Sequence, residues 1–281
     1  MTHDERRIAR RTFLGVAAAG ALAACAANPT DDGAAATSDL ALPSSSPSSS
    51  SAGTTATTST SATTTTIAPS PVTPTTTATP GGAAAFVRSG PRTKNAVSLT
   101  FHANGDVALA TRLLDILRER AVHVTVFGVG NWMEANPKLV ARMLADGHEV
   151  ANHTWSHPTM GPLGRAAIAD EITRCARVLE SLTGGISPWF RPSGIEVPTA
   201  AILDEAGKAG YRTSVGYDCD SLDFQDPGAK AVVANVAATV QQGSIVSVHF
   251  GHQNTADAMP ALLDLLATRN LAPVTVGALL A

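Results

Sequence analysis

Short apolar runs alternate with amphipathic segments along the chain from about residue 96 to its end. The runs have strand length, and the segments between them place leucine, isoleucine and valine at three- and four-residue spacing, which is typical of helices. The pattern predicts strands over 96–101, 122–127, 149–153, 189–191, 211–217, 244–249 and 273–276. It predicts helices over 107–120, 137–147, 165–182, 198–207, 230–240 and 257–267. Such alternation predicts an α/β fold with a parallel sheet closed into a barrel.

Polar residues cluster where the predicted strands end. The clusters lie at 102–106, 152–157, 191–194, 218–223 and 249–252. Because functional sites of parallel α/β folds are built at the carboxyl ends of the strands, we expect the five clusters to converge on one site.

A pair of histidines, His153 and His157, lies in the second cluster. Two imidazoles four residues apart can share one face of a helical turn and hold one divalent metal. The alternative is two histidines with ordinary partners in a loop, since Asn, Thr, Ser and Pro argue against a core helix here.

The first third of the chain has a different composition. No charged residue occurs from Leu40 to Val87, and Ser, Thr, Pro and Ala make up nearly all of that segment. Such a segment buries too little apolar surface to offset its ordering entropy. We interpret 25–85 as a linker, either a glycosylated stalk or a plain spacer, and 86–281 as a single domain.

Residues 1–24 have the features of an export signal. Arg10-Arg11-Thr12-Phe13-Leu14 resembles a twin-arginine signal, and the apolar run that follows is too short to span a bilayer. Leu22-Ala23-Ala24-Cys25 resembles a lipoprotein box, which predicts lipid on Cys25 and anchoring at the outer face of the cytoplasmic membrane, in the cell envelope. The alternative is a plain signal peptide with an incidental cysteine.

The net charge of the chain bears on which partners it can bind. Loss of residues 1–24 removes four arginines and two acidic residues, so the net charge of −3 becomes −5. A mildly acidic chain without a basic cluster is not expected to bind nucleic acid.

Cys175 and Cys219 could pair in an oxidising compartment or remain separate buried thiols. We expect a monomer.

The order of the motifs resembles the polysaccharide deacetylases of carbohydrate esterase family 4, which contain the NodB homology domain. The resemblance covers about 95–281. It rests on Thr100-Phe101, His153 to His157, Arg191-Pro192-Ser193-Gly194, Asp220-Ser221-Leu222-Asp223 and Ser247-Val248-His249. It implies a distorted (β/α) barrel, a divalent metal (zinc, or else cobalt or manganese) and an acetylated polysaccharide or peptidoglycan as substrate.

Site roles follow from the same resemblance, residue by residue. His153 and His157 match the metal ligands, and His249 matches the general acid that protonates the leaving group. Arg191 matches the arginine that holds the catalytic base, although its motif is one residue shorter than usual. One of Asp220 and Asp223 is expected to orient Arg191 or His249.

The first motif departs from the family pattern Thr-Phe-Asp-Asp-Gly. His102 stands at the position of the base and Ala103 at that of the metal-binding aspartate, while Asp106 follows three residues later. Asn104-Gly105 permits a tight turn, so a bulged loop could return Asp106 to the metal as its carboxylate ligand. His102 could then be the general base or an auxiliary ligand.

Two functions of different class fit these residues. The first is a lipid-anchored hydrolase that removes N- or O-acetyl groups from envelope polysaccharide, with a metal that polarises the carbonyl and activates water. The second is a catalytically impaired glycan-binding or scaffolding lipoprotein on the same fold. A metallohydrolase with an unrelated amide or ester substrate is a third possibility.

Overall fold

The computed structural model describes residues 81–281. The predicted signal sequence, the predicted lipidation site at Cys25 and nearly all of the predicted linker lie outside these residues. No helix within 81–281 is both long and apolar enough to cross a membrane.

Strands and helices alternate through the domain, as the hydrophobic pattern predicts. The strands are β1 (Ala85–Val87), β2 (Ala96–Ala103), β3 (Thr125–Gly128), β4 (Glu149–Asn152), β5 (Trp189–Phe190), β6 (Thr213–Val215), β7 (Cys219–Asp220), β8 (Ile245–His249) and β9 (Ala272–Pro273). The helices are α1 (Val107–Glu119), α2 (Gly130–Ala135), α3 (Pro137–Ala145), α4 (Arg165–Thr183), α5 (Ala200–Lys208), α6 (Ala229–Thr239), α7 (Gln253–Thr268) and α8 (Val276–Leu280).

The strands form one parallel sheet in the order β1-β6-β5-β4-β3-β2-β8-β7, with β9 paired to the start of β2. The path runs from β1 at one end to β7 at the other, so the curled sheet is an incompletely closed barrel. The predicted distorted (β/α) barrel is therefore confirmed. β2, the longest strand, lies between β3 and β8, and its register pairs His102 with His249.

Alternation along β2 separates the core from the site. Val97, Leu99 and Phe101 are fully buried in the main hydrophobic core, together with side chains of α1, α3 and α7. Burial of each such side chain stabilises the fold by about 1.5–3 kcal/mol. Because successive strand residues point to opposite faces, Thr100 and His102 lie on the inner face of the barrel. The packed outer face thus fixes the position of the site residues on the inner one.

The structure differs from the predicted elements in segments that are too short to show a helical or strand-like repeat of apolar residues. The strands β1 and β7 have three and two residues, and neither they nor α2 were predicted. The last strand, β9, covers Ala272–Pro273 and ends before the predicted 273–276, because Thr275 caps a helix by accepting a hydrogen bond from the Ala278 amide and Val276 begins α8.

Cys175 and Cys219 are separate buried thiols. Burial raises the pKa of Cys175 to about 12 and that of Cys219 to about 11. Of the two alternatives that the sequence left open, the structure has the unpaired one.

Candidate active site

A cavity of about 260 Å³ opens at the carboxyl ends of the strands. It brings together six of the seven residues predicted to be catalytic or metal-binding, namely His102, His153, His157, Arg191, Asp220 and His249. The imidazole rings are close to one another. The ring centroid of His102 lies 4.5 Å from that of His153 and 4.4 Å from that of His249, and the centroids of His153 and His157 are 4.9 Å apart.

The two histidines of the predicted metal site lie in a loop after β4 rather than on a helical turn. His157 adopts a left-handed conformation with φ of 61°, which is uncommon for a residue other than glycine. Glu171 on α4 holds the loop, since its carboxylate accepts hydrogen bonds from the amides of Trp155 (2.9 Å) and Ser156 (2.8 Å) and from the Ser156 hydroxyl (2.7 Å). Glu171 thus maintains the strained loop that carries both histidines.

His153 has the geometry of a metal-ligating histidine. Its Nδ1 lies 2.9 Å from the carbonyl oxygen of Arg191, so Nδ1 carries the proton and donates it, and the lone pair is on Nε2. Nε2 is buried and has no hydrogen-bond partner within residues 81–281. Burial and the neighbouring His157 hold the pKa of His153 well below its ordinary value, which keeps the ring neutral. The imidazole half of the family's metal site therefore fits a divalent ion.

The carboxylate half of that site does not fit. Asp106 is exposed and caps α1, because its Oδ1 accepts a hydrogen bond of 2.9 Å from the Leu109 amide. Within residues 81–281, no group of three or more His, Cys, Asp or Glu side chains is arranged to hold an ion. In this structure the first loop does not bring Asp106 to the histidines, and the ligand role of Asp106 stays a prediction. The physical reason is that the carboxylate satisfies an otherwise unpaired amide at the helix N-terminus.

Asp106→Ala is expected to lower the free energy of unfolding by about 1 kcal/mol, the usual effect of losing an N-cap side chain. The same substitution should leave metal content unchanged. Denaturant unfolding and elemental analysis of the purified variant measure both quantities. A loss of bound metal at unchanged stability would restore Asp106 as a ligand and contradict the capping role.

Arg191 is a buried cation that forms no salt bridge with a carboxylate of residues 81–281. Its Nε and Nη2 donate hydrogen bonds to the carbonyl oxygens of Val215 (2.8 Å) and Gly216 (3.0 Å), and Nη1 lies 2.8 Å from Nε2 of His102. The guanidinium carbon lies 4.1 Å from the centroid of the Phe127 ring. Burial lowers the pKa of Arg191 to about 9, which leaves it charged at neutral pH.

The contact with Arg191 fixes the tautomer of His102. A guanidinium can only donate, so Nε2 of His102 accepts and the proton of the neutral ring is on Nδ1. Burial and the neighbouring His153 and His249 hold the pKa of His102 well below its ordinary value. His102 accordingly lacks a free lone pair for proton abstraction, and the geometry argues against the predicted role of general base. Arg191 contacts the residue at the base position through Nη1, and its role in catalysis stays a prediction.

The predicted general acid, His249, is oriented by Asp223. Nδ1 of His249 lies 2.7 Å from Asp223 Oδ1, and Asp223 Oδ2 accepts from the His249 amide (2.7 Å) and the Thr255 hydroxyl (2.5 Å). Burial opposes ionisation of Asp223, but these hydrogen bonds outweigh it and lower the pKa of the carboxyl. Asp220 instead accepts a hydrogen bond from the Leu222 amide, so of the two candidates Asp223, not Asp220, orients the acid.

Three further residues shape the cavity; Glu171 and Phe224 were not singled out from the sequence, and Ser247 was quoted there only as part of the Ser247-Val248-His249 motif, without a role of its own. Glu171 orders the histidine loop, Ser247 lies in the cavity wall, and the half-exposed Phe224 packs edge-on against His249 with ring centroids 5.7 Å apart. Phe224 directly follows Asp223, so its place next to a motif residue was the available signal. The register of β8 was the signal for Ser247, which lies two residues before His249.

Comparison with known proteins shows which sequences this chain is similar to. The profile of the polysaccharide deacetylase family matches residues 89–214. A chitooligosaccharide deacetylase of Bradyrhizobium is 32% identical over 157 residues, which cover 56% of this chain and 71% of the relative. A peptidoglycan-N-acetylglucosamine deacetylase of Bacillus cereus is 29% identical over 199 residues, which cover 68% of this chain and 70% of the relative.

The chain also resembles a solved structure. That structure is of a mutant, with restored enzymatic activity, of a family 4 carbohydrate esterase from Bacillus anthracis that is described as a pseudoenzyme. That mutant superposes with a TM-score of 0.66 at 25% identity, over 70% of this chain and 71% of its own. On the matches to the two named deacetylases and to the family profile, the chain belongs to the polysaccharide deacetylase family.

Proposed function

We propose that this protein hydrolyses the N-acyl group of an amino sugar within an envelope polysaccharide, with peptidoglycan or a chitin-like oligosaccharide as substrate class. The observation that supports this most directly is that His249, whose ring is held by the buried Asp223, lines the same cavity as His153 and His157. The two named relatives, a chitooligosaccharide deacetylase and a peptidoglycan-N-acetylglucosamine deacetylase, act on substrates of this class.

In this proposal some residues of the chain orient other groups, and His249 transfers a proton. Asp223 fixes His249 with Nδ1–H directed at the carboxylate, which leaves Nε2 for proton delivery to the departing amine nitrogen. Arg191 and His102 together present N–H groups at the buried end of the cavity, where they can hold the acyl oxygen. A divalent ion bound by His153 and His157 would add Lewis-acid polarisation of the acyl carbonyl.

The proposal is tested by acetate release from N-acetylglucosamine oligomers, measured with and without a chelator and compared with the metal content of the purified protein. Release that falls with metal removal and returns on addition of zinc supports the proposal. Full release from metal-free protein would contradict the metal-dependent part of it, and no release under any condition would contradict hydrolysis itself.

A specific observation favours a second candidate function. Within residues 81–281, His102 stands at the base position with Nε2 in contact with Arg191, and Asp106 caps α1, so neither of the two aspartates that the family usually has there lies beside the histidine pair. Without them, the cavity could still bind a glycan and turn it over slowly or not at all. Glycan binding by calorimetry without product release would identify this binding role.

We also propose that the protein is exported and anchored through lipid on Cys25, on the support of the sequence around that residue alone. Cys25→Ser is expected to abolish lipid attachment, because a hydroxyl cannot form the thioether. Metabolic labelling with a fatty acid and fractionation of cells report the change. A Cys25→Ser protein that still carries label and stays with the membrane at mature length would refute the anchor.

A further inference from the structure

Ser247 places a hydroxyl in the wall of the cavity. It lies on β8 between Thr100 of β2 and Asp220 of β7, two residues before the position where His102 pairs with His249. Because strand residues two apart share a face, Ser247 and His249 both point to the inner face of the barrel. Ser247 is only 1% exposed, and that residual surface faces the cavity.

No hydrogen bond of the Ser247 hydroxyl to another side chain or carbonyl is found among residues 81–281, and the residue borders the cavity. The neighbouring hydroxyl of Thr100 does not supply one, since it donates a hydrogen bond of 2.7 Å to the Val246 carbonyl oxygen. Buried polar groups are nearly always hydrogen-bonded, and an unpaired one is unfavourable. The hydroxyl is thus available to a group that enters the cavity.

The position of Ser247 relative to His249 determines which part of a substrate would reach it. The half-exposed Phe224 packs against His249 on the cavity lining, where the sugar of a polymeric substrate would lie. An acyl group whose amide nitrogen is within reach of His249 would place its tail beside Ser247, two residues earlier on the same face of β8.

We propose that Ser247 makes the cavity selective for a 2-hydroxyacyl (glycolyl) amide over an acetyl amide, an inference that rests on the function proposed above. The hydroxyl of a glycolyl tail would pair with Ser247, whereas an acetyl methyl group would leave Ser247 unpaired. In the reaction the oxygen of water bonds to the acyl carbon and the C–N bond breaks. The amine leaves with a proton from His249, the proton that the attacking water loses replaces it, and the other product is glycolate.

The test compares N-glycolyl- and N-acetylglucosamine oligomers of equal length on the full chain, by kcat/KM and by calorimetric Kd. We expect a preference of about tenfold for the glycolyl oligomer, the value of one net hydrogen bond. Ser247→Ala should reduce that ratio to about one. Ser98→Ala is the matched control, because Ser98 is a fully buried serine of β2 that does not line the cavity, and it should keep the ratio of the parent.

The two readouts separate this inference from the proposed hydrolysis. If neither acyl group is released, hydrolysis is refuted while the ratio of the Kd values still decides selectivity. A ratio near one in the parent, or a preference that survives in Ser247→Ala, overturns the role of Ser247. Failure of either oligomer to bind overturns both proposals.

Discussion

His249→Ala is expected to lower acyl release by about two to four orders of magnitude, the range associated with loss of a general acid. The amine is a poor leaving group without a proton, and His249 is the histidine whose ring is fixed by a buried carboxylate. The measurement is kcat on an N-acylated glucosamine oligomer. The same loss should occur in Asp223→Asn, because an amide in that position no longer selects the tautomer and orientation of the ring.

His252→Ala is the matched control for this prediction. His252 also pairs with an aspartate, Asp226 at 2.9 Å, and its ring centroid lies 5.9 Å from that of His249. It does not line the cavity, so replacing its imidazole with a methyl group should leave kcat within a few-fold of the parent value. An equal loss in the two variants would mean that the rim as a whole, rather than His249, supports the reaction.

His102→Asp is expected to raise turnover by about two to four orders of magnitude. The substitution returns a carboxylate to the position where the family usually has its base. It also supplies a counter-ion to Arg191, whose buried charge otherwise has carbonyl and imidazole partners. Opposite charges attract strongly where water is excluded, so the pair should hold the carboxylate in place and ionised.

His102→Asn separates the charge from the change of size. Asparagine has nearly the shape of aspartate but cannot accept a proton at neutral pH, so this variant should be no faster than the parent. Equal turnover in the aspartate and asparagine variants would show that a missing base does not limit the rate. The limiting deficit would then lie in metal binding, and metal content of each variant should be measured alongside.

The hydrophobic pattern predicted most of the fold. Long strands such as β2 and β8 have fully buried faces, and the helices between them have clear three- and four-residue spacing, so local pattern and tertiary position agree. The meeting of His102, Arg191 and His249 was also predictable, because the carboxyl ends of parallel strands lie at one edge. Their family roles depended on the resemblance.

The parts that the sequence did not reveal depend on competition between contacts. Asp106 had two possible partners, a metal ion and the free amides of α1, and the nearer amide at Leu109 is the one it contacts. The tautomer of His102 depends on Arg191, which is 89 residues away in the chain. The position of Glu171 beneath the histidine loop likewise requires the docking of α4 against β4.

Chemical modification of the two buried thiols can be used to follow opening of the folded domain. With the pKa of Cys175 raised to about 12 by burial, almost none of it is the reactive thiolate at neutral pH, and reagents cannot reach the buried side chain in the folded domain. Alkylation of Cys175 therefore requires opening of the core around α4 and β3, where its Sγ lies 3.6 Å from the Gly128 carbonyl oxygen. The rate of modification, followed by mass spectrometry, would measure how often the barrel opens under native conditions.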